Sequence, residues 1–242
     1  MSEIVYPPVI AAARLMFRAL DLRFRLDGAE HIPTSGGAVI ACNHIGYLDF
    51  IFCGWGARPS RRLVRFMAKQ SVFEHRISGP LMRGMHHIPV DREAGLASYR
   101  QALGALKGGE VVGVFPEATI SQSFTIKDMK SGAARMAAAA GVPIVPMALW
   151  GSQRLWTKGR PRSFRRHVPI SIAIGEPLTP TPREKGDAVM DEIRLRMTAL
   201  LDKVQREYPD QPAGPDDTWW LPAHLGGTAP TPEEAAASSV DE

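Results

Sequence analysis

The sequence has few cysteines and no long apolar run. Its 242 residues include two cysteines, Cys42 and Cys53, which lie in apolar surroundings and form no C-x-x-C pair. This spacing excludes a disulfide framework and a zinc-finger type of site, and it favours a reducing, cytoplasmic compartment. No apolar run reaches the roughly 18 residues that a membrane-spanning helix needs, and no secretory signal is evident. We therefore expect a protein that does not span a bilayer but is able to lie on one.

Basic residues are missing from the C-terminal part. After position 206 there are eight acidic residues and no Lys or Arg, so the net charge of +4 leaves +12 on residues 1–206. A basic body predicts an anionic partner such as lipid head groups, a phosphorylated substrate or nucleic acid. No recognised nucleic-acid-binding module is present, so nucleic acid is not expected. Residues 208–242 predict an acidic, Pro-rich tail.

Short apolar runs alternate with helical patterns along the rest of the chain. The predicted strands are 22–26, 38–42, 61–69, 86–92, 110–115, 143–149 and 168–174. The predicted helices are 6–20, 50–55, 93–106, 131–140 and 182–207. This order predicts a single α/β domain over residues 27–207, with a largely parallel or mixed central sheet flanked by helices. Two prolines in strand 143–149 predict an edge or irregular position for that strand.

The first 26 residues predict an amphipathic helix. Arg14 and Arg18 are four residues apart on one face of an otherwise apolar segment. Such a helix either associates with a membrane, with its basic residues at head-group level, or packs on the domain's own sheet. The sequence leaves both alternatives open.

The most informative stretch is Asn43–Asp49. It follows the buried strand 38–42 and precedes the helix 50–55, with Gly46 permitting a tight turn between them. If His44 lies in the turn and Asp49 in the first helical turn, the carboxylate can hold one imidazole nitrogen and leave the other free to take a proton. That is the arrangement of a general base with its orienting partner. A strand cap and a helix cap are the alternative.

Other polar residues also follow predicted strands. Lys69, Arg92 and Glu117 each come at the end of one. Because open α/β sheets carry their sites outside the carboxyl ends of their strands, these residues are expected near His44. The neighbouring pair His86 and His87 has no further ligands at metal-binding spacing and is expected to be structural.

Four blocks in this order resemble those of the glycerolipid acyltransferases, most closely the 1-acylglycerol-3-phosphate acyltransferase (PlsC-type) group. The blocks are 43–49 (N-H-x4-D), 88–92 (I-P-V-D-R), 115–119 (F-P-E-A-T) and 142–146 (V-P-I-V-P). The resemblance implies transfer of a fatty acyl group from acyl-CoA or acyl carrier protein to the sn-2 hydroxyl of 1-acylglycerol-3-phosphate, which makes phosphatidic acid. It implies no metal and no bound cofactor. It also implies that the protein is peripheral or monotopic and acts at an anionic membrane surface, on the cytoplasmic face of the cell membrane.

The resemblance also implies residue roles. His44 corresponds to the general base and Asp49 to its partner, while Asn43 helps to order the turn. The acceptor and its phosphate are held by a wider set of residues in the blocks and near them. These are Asn43, Lys69, Arg92, Glu117, Thr119 and Lys130.

The third block departs from the family pattern F-P-E-G-T-R-S. Ala118 stands where the family has Gly, and Ile120 where it has Arg. The missing Arg removes a phosphate-binding charge, for which Lys127, Lys130, Arg92 or Lys69 can compensate. Without compensation, another lysophospholipid or a glycolipid becomes the expected acceptor.

Two other functions are consistent with the same residues. A thioesterase or lipid hydrolase uses the same base with water, although the sequence has no G-x-S-x-G motif. A non-catalytic membrane-surface binder uses the basic body alone. The basic loop 158–167 is either solvated or a contact for membrane or cofactor phosphates. Trp219 and Trp220 interrupt the acidic tail and are expected to dock on the domain. Met82 and Met85 are expected in the core or along an acyl channel.

Overall fold

The computed structural model describes residues 3–91 and 95–238, which contain one seven-stranded sheet. Its strands are β1 (Arg23–Asp27), β2 (Ala38–Cys42), β3 (Val64–Lys69), β4 (Ile88–Val90), β5 (Val111–Val114), β6 (Ile144–Trp150) and β7 (Pro169–Ile174). The spatial order is β1-β7-β6-β2-β5-β3-β4. All neighbouring pairs are parallel except β6 with β7. The predicted α/β class with a largely parallel or mixed sheet is confirmed.

Helices cover both faces of the sheet. They are α1 (Tyr6–Ala19), α2 (Asp49–Gly56), α3 (Gln70–Glu74), α4 (Ser78–Gly84), α5 (Gly95–Lys107), α6 (Gly132–Ala140), α7 (Gly186–Arg206) and α8 (Pro232–Ser238). Apolar side chains of α1 and α2, such as Phe17 and Phe52, pack on one face. Those of α5, α6 and α7, such as Leu106, Met136 and Ile193, pack on the other. Strand β2, buried at all five positions, lies between the two layers.

Strand β6 is an interior strand, so of the two positions expected for it, edge or irregular, the edge position was wrong. Pro146 is tolerated there because its missing N–H falls beyond the last antiparallel pair, Met147 with Ile174. Its carbonyl still accepts the N–H of Gly175 at 2.9 Å. The N–H that Pro146 lacks would face the Gly175 carbonyl at the end of the ladder, so the proline interrupts the pairing only where the two strands separate.

Helix α1 packs on the domain's own sheet, which was one of the two alternatives for it. Phe17 is buried and stacks on Phe52 with ring centroids 5.6 Å apart. At the other end of the helix, the Tyr6 hydroxyl donates to the Val64 carbonyl at 2.5 Å. Since β1 is also part of the sheet, the predicted boundary between residues 26 and 27 falls inside a strand. In the described parts of the chain, every helix is too short or too polar to cross a bilayer.

The segment after α7 folds back onto the domain. Trp220 is fully buried in a cluster with Trp150 and Tyr208. Its ring lies under the guanidinium of Arg154, with 4.3 Å between the Cζ and the ring centroid. Its carbonyl accepts a hydrogen bond from the Gln153 side chain at 3.2 Å. The expected docking of the two tryptophans is confirmed for Trp220, and Trp219 is half-buried.

Candidate active site

The turn between β2 and α2 brings His44 and Asp49 together. His44 leaves the end of β2, and Asp49 is the first residue of α2. The imidazole Nδ1 lies 3.0 Å from Asp49 Oδ2. With Nδ1 donating to the carboxylate, the lone pair of Nε2 is available to take a proton, and no partner of Nε2 is found among residues 3–91 and 95–238. The His44 side chain is 22% exposed, so an acceptor hydroxyl can reach it.

The carboxylate of Asp49 is fully buried and saturated with hydrogen bonds. Besides the imidazole, Oδ2 accepts the backbone N–H groups of Ile45 at 2.6 Å and Gly46 at 2.8 Å. Oδ1 accepts the hydroxyl of Ser152 at 2.5 Å. Four donors compensate the burial of this charge and hold the carboxylate in one orientation. Ser152 follows β6 and is 103 residues from Asp49, so no local pattern in the sequence points to it.

The backbone N–H groups of the turn have intramolecular acceptors. His44 N donates to Glu117, Ile45 N and Gly46 N donate to Asp49, and Tyr47 N donates to the Trp156 carbonyl at 3.0 Å. The N–H groups of residues 44–47 are therefore engaged within the protein and are not free to bind a substrate oxygen. The turn is instead a rigid support for the imidazole.

Asn43 and Glu117 fasten the turn to neighbouring segments. The Asn43 amide donates to the Leu149 carbonyl at 3.0 Å and accepts the Leu149 N–H at 2.7 Å, which ties the end of β2 to β6. Glu117 Oε1 accepts the His44 N–H at 2.9 Å, and Oε2 accepts the Lys127 N–H at 3.0 Å. Both side chains are buried, and their polar atoms are engaged by backbone. Burial raises the pKa of Glu117 to about 7, against the opposing effect of these two N–H groups.

The other residues predicted for the acceptor lie at the same edge of the sheet. Lys69 ends β3, which is two strands from β2, or about 10 Å in the direction across the sheet. Thr119 and Lys130 are exposed, and the Lys130 N–H donates to the Pro116 carbonyl at 3.1 Å. Arg92 lies outside the described residues. Lys127 joins this group, because its ammonium donates to the Thr119 hydroxyl at 2.6 Å.

A large apolar cavity lies beside the catalytic turn. It has a volume of about 720 Å³ and is lined by residues of α1, α2, β3 and α4. Stacked aromatic rings connect it to the base. The His44 ring lies 4.4 Å from Phe115, Phe115 lies 6.0 Å from Phe66, and both Phe66 and Phe50 line the cavity. The site thus combines an imidazole held by a buried carboxylate with a space for an apolar chain.

Two methionines and a histidine also line the cavity. Met82 and Met85 line it, in agreement with the expectation of a channel or core position. His87 lines it as well, and its Nδ1 accepts the Phe66 N–H at 3.1 Å. Burial lowers the pKa of His87 to about 4, so this imidazole is neutral near pH 7. A single fixed hydrogen bond to backbone is what the predicted structural role requires.

Comparison with known proteins identifies the family of the chain. The family model "Acyltransferase" matches residues 23–150. The chain belongs to the acyltransferase family. It is 35% identical over 187 residues to 1-acyl-sn-glycerol-3-phosphate acyltransferase of Bacillus subtilis, covering 73% of this chain and 87% of that one. It is 31% identical over 191 residues to the enzyme of the same name from Limnanthes douglasii, covering 76% of this chain and 63% of that one.

A solved structure shares the acyltransferase fold. The 1-acyl-sn-glycerophosphate acyltransferase PlsC from Thermotoga maritima superposes with a TM-score of 0.70 over 84% of this chain and 81% of that one, at 19% identity. The predicted membership of the PlsC-type acyltransferases is confirmed, and the chain is an enzyme of this class.

Proposed function

We propose that this acyltransferase moves a fatty acyl group from acyl-CoA, or from acyl carrier protein, to the sn-2 hydroxyl of 1-acylglycerol-3-phosphate, and so makes phosphatidic acid for phospholipid biosynthesis. The observation that carries the proposal is the 3.0 Å contact of His44 with buried Asp49 at the edge of the apolar cavity. The names of the relatives from Bacillus and Limnanthes support the same acceptor.

The proposed reaction is a direct transfer. His44 Nε2 takes the proton of the acceptor hydroxyl as the hydroxyl oxygen attacks the thioester carbonyl. The C–S bond then breaks, the acyl group remains on the acceptor oxygen, and the thiolate leaves with the proton from the imidazolium. Asp49 holds the productive tautomer and stabilises the imidazolium. General base catalysis of this kind contributes about 10²–10⁴-fold to the rate.

The cavity is the proposed site of an acyl chain. Its lining is dominated by apolar side chains of α1, α2 and α4, and it begins one aromatic ring beyond Phe115. An acyl chain buried there leaves its polar end at the catalytic turn, because Phe50 and Phe66 lie at that end of the cavity. Burial of the chain also supplies binding energy in proportion to the apolar area removed from water.

The phosphate of the acceptor is proposed to bind among the cations at the edge of the sheet. Lys69, Arg92, Thr119 and Lys130 are the candidates from the sequence, and Lys127 is the best placed in the structure. One carboxylate, that of Glu117, holds the backbone of both His44 and Lys127, so the two residues are neighbours. The Lys127 ammonium is directed to Thr119, on the segment that follows Glu117. Lys127 thereby supplies a positive charge beside Ile120.

The third sequence block supports a second class of acyl acceptor. Ile120 occupies the position of a phosphate-binding Arg in the family pattern, and Ala118 precedes Thr119 in place of Gly. If Lys127 does not hold the phosphate, a lysophospholipid with a larger head group or a glycolipid is the acceptor, and the chemistry at His44 is unchanged.

We further propose that the enzyme works as a peripheral protein at the cytoplasmic face of the cell membrane. Its substrates carry long acyl chains, and residues 1–206 carry +12, which attracts anionic lipid. The acyl donor, acyl-CoA or acyl carrier protein, meets the site from the aqueous side.

The test is release of free thiol from palmitoyl-coenzyme A with a panel of lysolipid acceptors. Thiol release that requires lysophosphatidic acid, and that His44→Ala and Asp49→Ala each abolish while the fold is kept, is the expected result. Release that requires a different lysolipid overturns the acceptor assignment alone. Release without any acceptor identifies a thioesterase, and undiminished activity in either variant removes the catalytic assignment.

A further inference from the structure

An exposed phenylalanine projects from the basic loop 158–167, here named the Phe164 loop. Phe164 is 78% exposed, the largest exposed fraction among the large apolar side chains described. Four exposed arginines surround it in sequence: Arg160, Arg162, Arg165 and Arg166. A single exposed apolar residue is ordinary. A bulky apolar side chain among cations is the composition that binds the interface of an anionic bilayer.

The Phe164 loop lies beside the catalytic turn. It lies between the carboxyl end of β6 and the start of antiparallel β7. The residues that immediately precede the loop contact the turn between β2 and α2. The Thr157 hydroxyl donates to the Ile45 carbonyl at 2.6 Å, and the Trp156 ring packs on Tyr47 at 4.6 Å. Arg162 stacks on Trp156, with 4.0 Å between the Cζ and the ring centroid. The loop is therefore at the same edge of the sheet as His44.

Contacts on several sides hold the loop in place. Arg160 stacks on Trp219 at 4.7 Å. Arg165 lies 3.5 Å from an Asp217 carboxylate oxygen, and the His167 N–H donates to the Leu20 carbonyl at 2.9 Å. The exposure of Phe164 thus belongs to a loop with defined supports. A membrane-binding group on such a support enters the interface without first ordering its own backbone.

Exposed apolar side chains continue on the other side of the catalytic turn. Tyr47 and Phe50 are 42% and 37% exposed, at the start of α2. Ile77 and Leu81, at the beginning of α4, are 73% and 42% exposed. Phe50 and Leu81 also line the apolar cavity, so this surface surrounds a way into it. Helix α1 packs Phe17 into the domain's own core, and Val9, Ile10 and Met16 line the cavity.

We propose that this edge, with the Phe164 loop on one side of His44 and the corner of α3 and α4 on the other, is the surface that docks on an anionic lipid bilayer. Phe164 enters the interface, and its neighbouring arginines bind lipid phosphates. The inference rests on the proposed function, because it places the cavity and the general base where a lysolipid arrives from the bilayer. The charge of the loop selects an anionic lipid surface.

Sedimentation with lipid vesicles tests the docking surface. Phe164→Ser is compared with Leu195→Ser, which removes a 64% exposed side chain from α7. On vesicles of phosphatidylcholine with 30% phosphatidylglycerol (a mole fraction we choose), we expect wild type and Leu195→Ser to bind equally and Phe164→Ser to bind at least about tenfold more weakly. The same affinity for all three proteins, or no binding of wild type, overturns the proposal.

Two double variants test how much the arginine charges of the Phe164 loop contribute to vesicle binding. Arg165→Gln/Arg166→Gln is compared with Arg100→Gln/Arg194→Gln, which removes the same charge from exposed positions on α5 and α7. We expect the first pair alone to weaken binding to the anionic vesicles, by about tenfold for two charges. Equal effects of the two pairs indicate a general charge effect and overturn the local role of the loop. Weaker capture of acyl carrier protein with unchanged vesicle binding assigns the loop to that protein and also overturns it.

Activity measured in the absence of a bilayer distinguishes a failure of the docking proposal from a failure of the proposed function. With palmitoyl-coenzyme A and a short-chain, water-soluble 1-acylglycerol-3-phosphate, we expect Phe164→Ser to retain wild-type thiol release. It is expected to lose activity only when the acceptor is presented in anionic vesicles. If wild type releases no thiol but still binds vesicles in a way that depends on Phe164, the proposed function is contradicted. The proposal of the docking surface is then still supported. Equal loss in both formats contradicts the docking role.

Discussion

The side chain of Glu117 accepts the backbone N–H of His44 at 2.9 Å. A residue of the segment after β5 therefore determines where the catalytic turn lies. The second carboxylate oxygen is bound by the N–H of Lys127, so each oxygen of this buried carboxylate is engaged by backbone. In place of the substrate contact predicted from the sequence, we propose that Glu117 is a positioning residue that acts through the backbone of His44 and of Lys127.

Replacing Glu117 with Gln is expected to reduce kcat by about tenfold or more. The amide has one acceptor oxygen where the carboxylate has two, so one buried N–H loses its partner, at a cost of about 1–3 kcal/mol. The KM for acyl-CoA is expected to stay within about twofold, because the turn is displaced but the cavity is kept. Steady-state kinetics beside Glu176→Gln, an exposed glutamate, provide the measurement. A variant that changes only KM contradicts the positioning role.

The same residue makes folding stability depend on pH. Burial raises the pKa of Glu117 to about 7 from an ordinary value of 4.5, so the folded protein holds this proton more tightly than the unfolded chain. The resulting stabilisation is fully present below about pH 4.5 and is lost as pH rises through about 7. Thermal melts should therefore show that the Tm of wild type, relative to that of Glu117→Gln, is higher at pH 5 than at pH 8. A difference in Tm between the two proteins that does not vary with pH contradicts the raised pKa.

Ser152→Ala is expected to lower kcat by about tenfold while the KM values change little. The substitution removes the hydroxyl that donates to Asp49 Oδ1 at 2.5 Å, and the buried oxygen loses a charge-assisted hydrogen bond. Ser98→Ala, a buried serine on α5, is the matched control for the loss of a buried hydroxyl. Ser152→Thr is the discriminating variant, because it keeps a hydroxyl for Asp49 and is expected to retain more of kcat than Ser152→Ala. An equal loss of kcat in Ser152→Ala and Ser98→Ala contradicts the role of this hydrogen bond.

Lys127→Ala is expected to raise the KM for lysophosphatidic acid by about ten- to a hundredfold, which corresponds to the loss of one hydrogen bond to a charged group. The KM for acyl-CoA should remain unchanged. Lys107→Ala, at the exposed end of α5, provides the control for net charge. In the Lys127→Ala background, Ile120→Arg should recover part of the lost affinity. If Lys127→Ala leaves the acceptor KM at its wild-type value, the phosphate is held elsewhere.

Ala118→Gly is expected to stabilise the protein by about 0.5–1 kcal/mol. Ala118 has φ of +62°, in the left-handed region where a Cβ costs roughly 1–2 kcal/mol. The strain energy relieved exceeds the cost of the added conformational entropy that glycine gives the unfolded chain, about 0.4–1 kcal/mol. Urea denaturation gives the free energy of unfolding directly, and Ala140→Gly at the end of α6 should destabilise instead. A loss of stability in Ala118→Gly contradicts the strained conformation.

Much of the site could be predicted because its key contact is local. His44 and Asp49 are five residues apart, and the turn geometry that joins them follows from a strand, a glycine and a helix start. Glu117 and Lys69 were also placed correctly at the edge of the sheet, since parallel strands end on the same side. The hydrogen bond of Ser152 to Asp49 could not be predicted, because Ser152 lies in the turn after β6, 103 residues away in sequence, and belongs to no motif.

Packing decided the parts of the fold that the sequence left open. The apolar segment of α1 fits both a bilayer and a sheet, and only the stack of Phe17 on Phe52 distinguishes the two. Pro143 and Pro146 suggested an edge or irregular strand, but the effect of Pro146 within β6 depends on where the neighbouring strand ends, which is a property of the sheet as a whole. The cavity could not be anticipated either, because its lining comes from four separate elements.

The folded-back tail has a practical consequence for protein production. Gln153 and Arg154, the two residues after Ser152, are bound by Trp220 and by Tyr208 and Asp210. A recombinant chain shortened at residue 207, where the composition changes, would release the turn that carries the serine hydroxyl to Asp49. Low activity of such a truncated protein would then reflect a loosened support more than 150 residues away in sequence from the base, and the intact chain is the form in which the enzyme should be assayed.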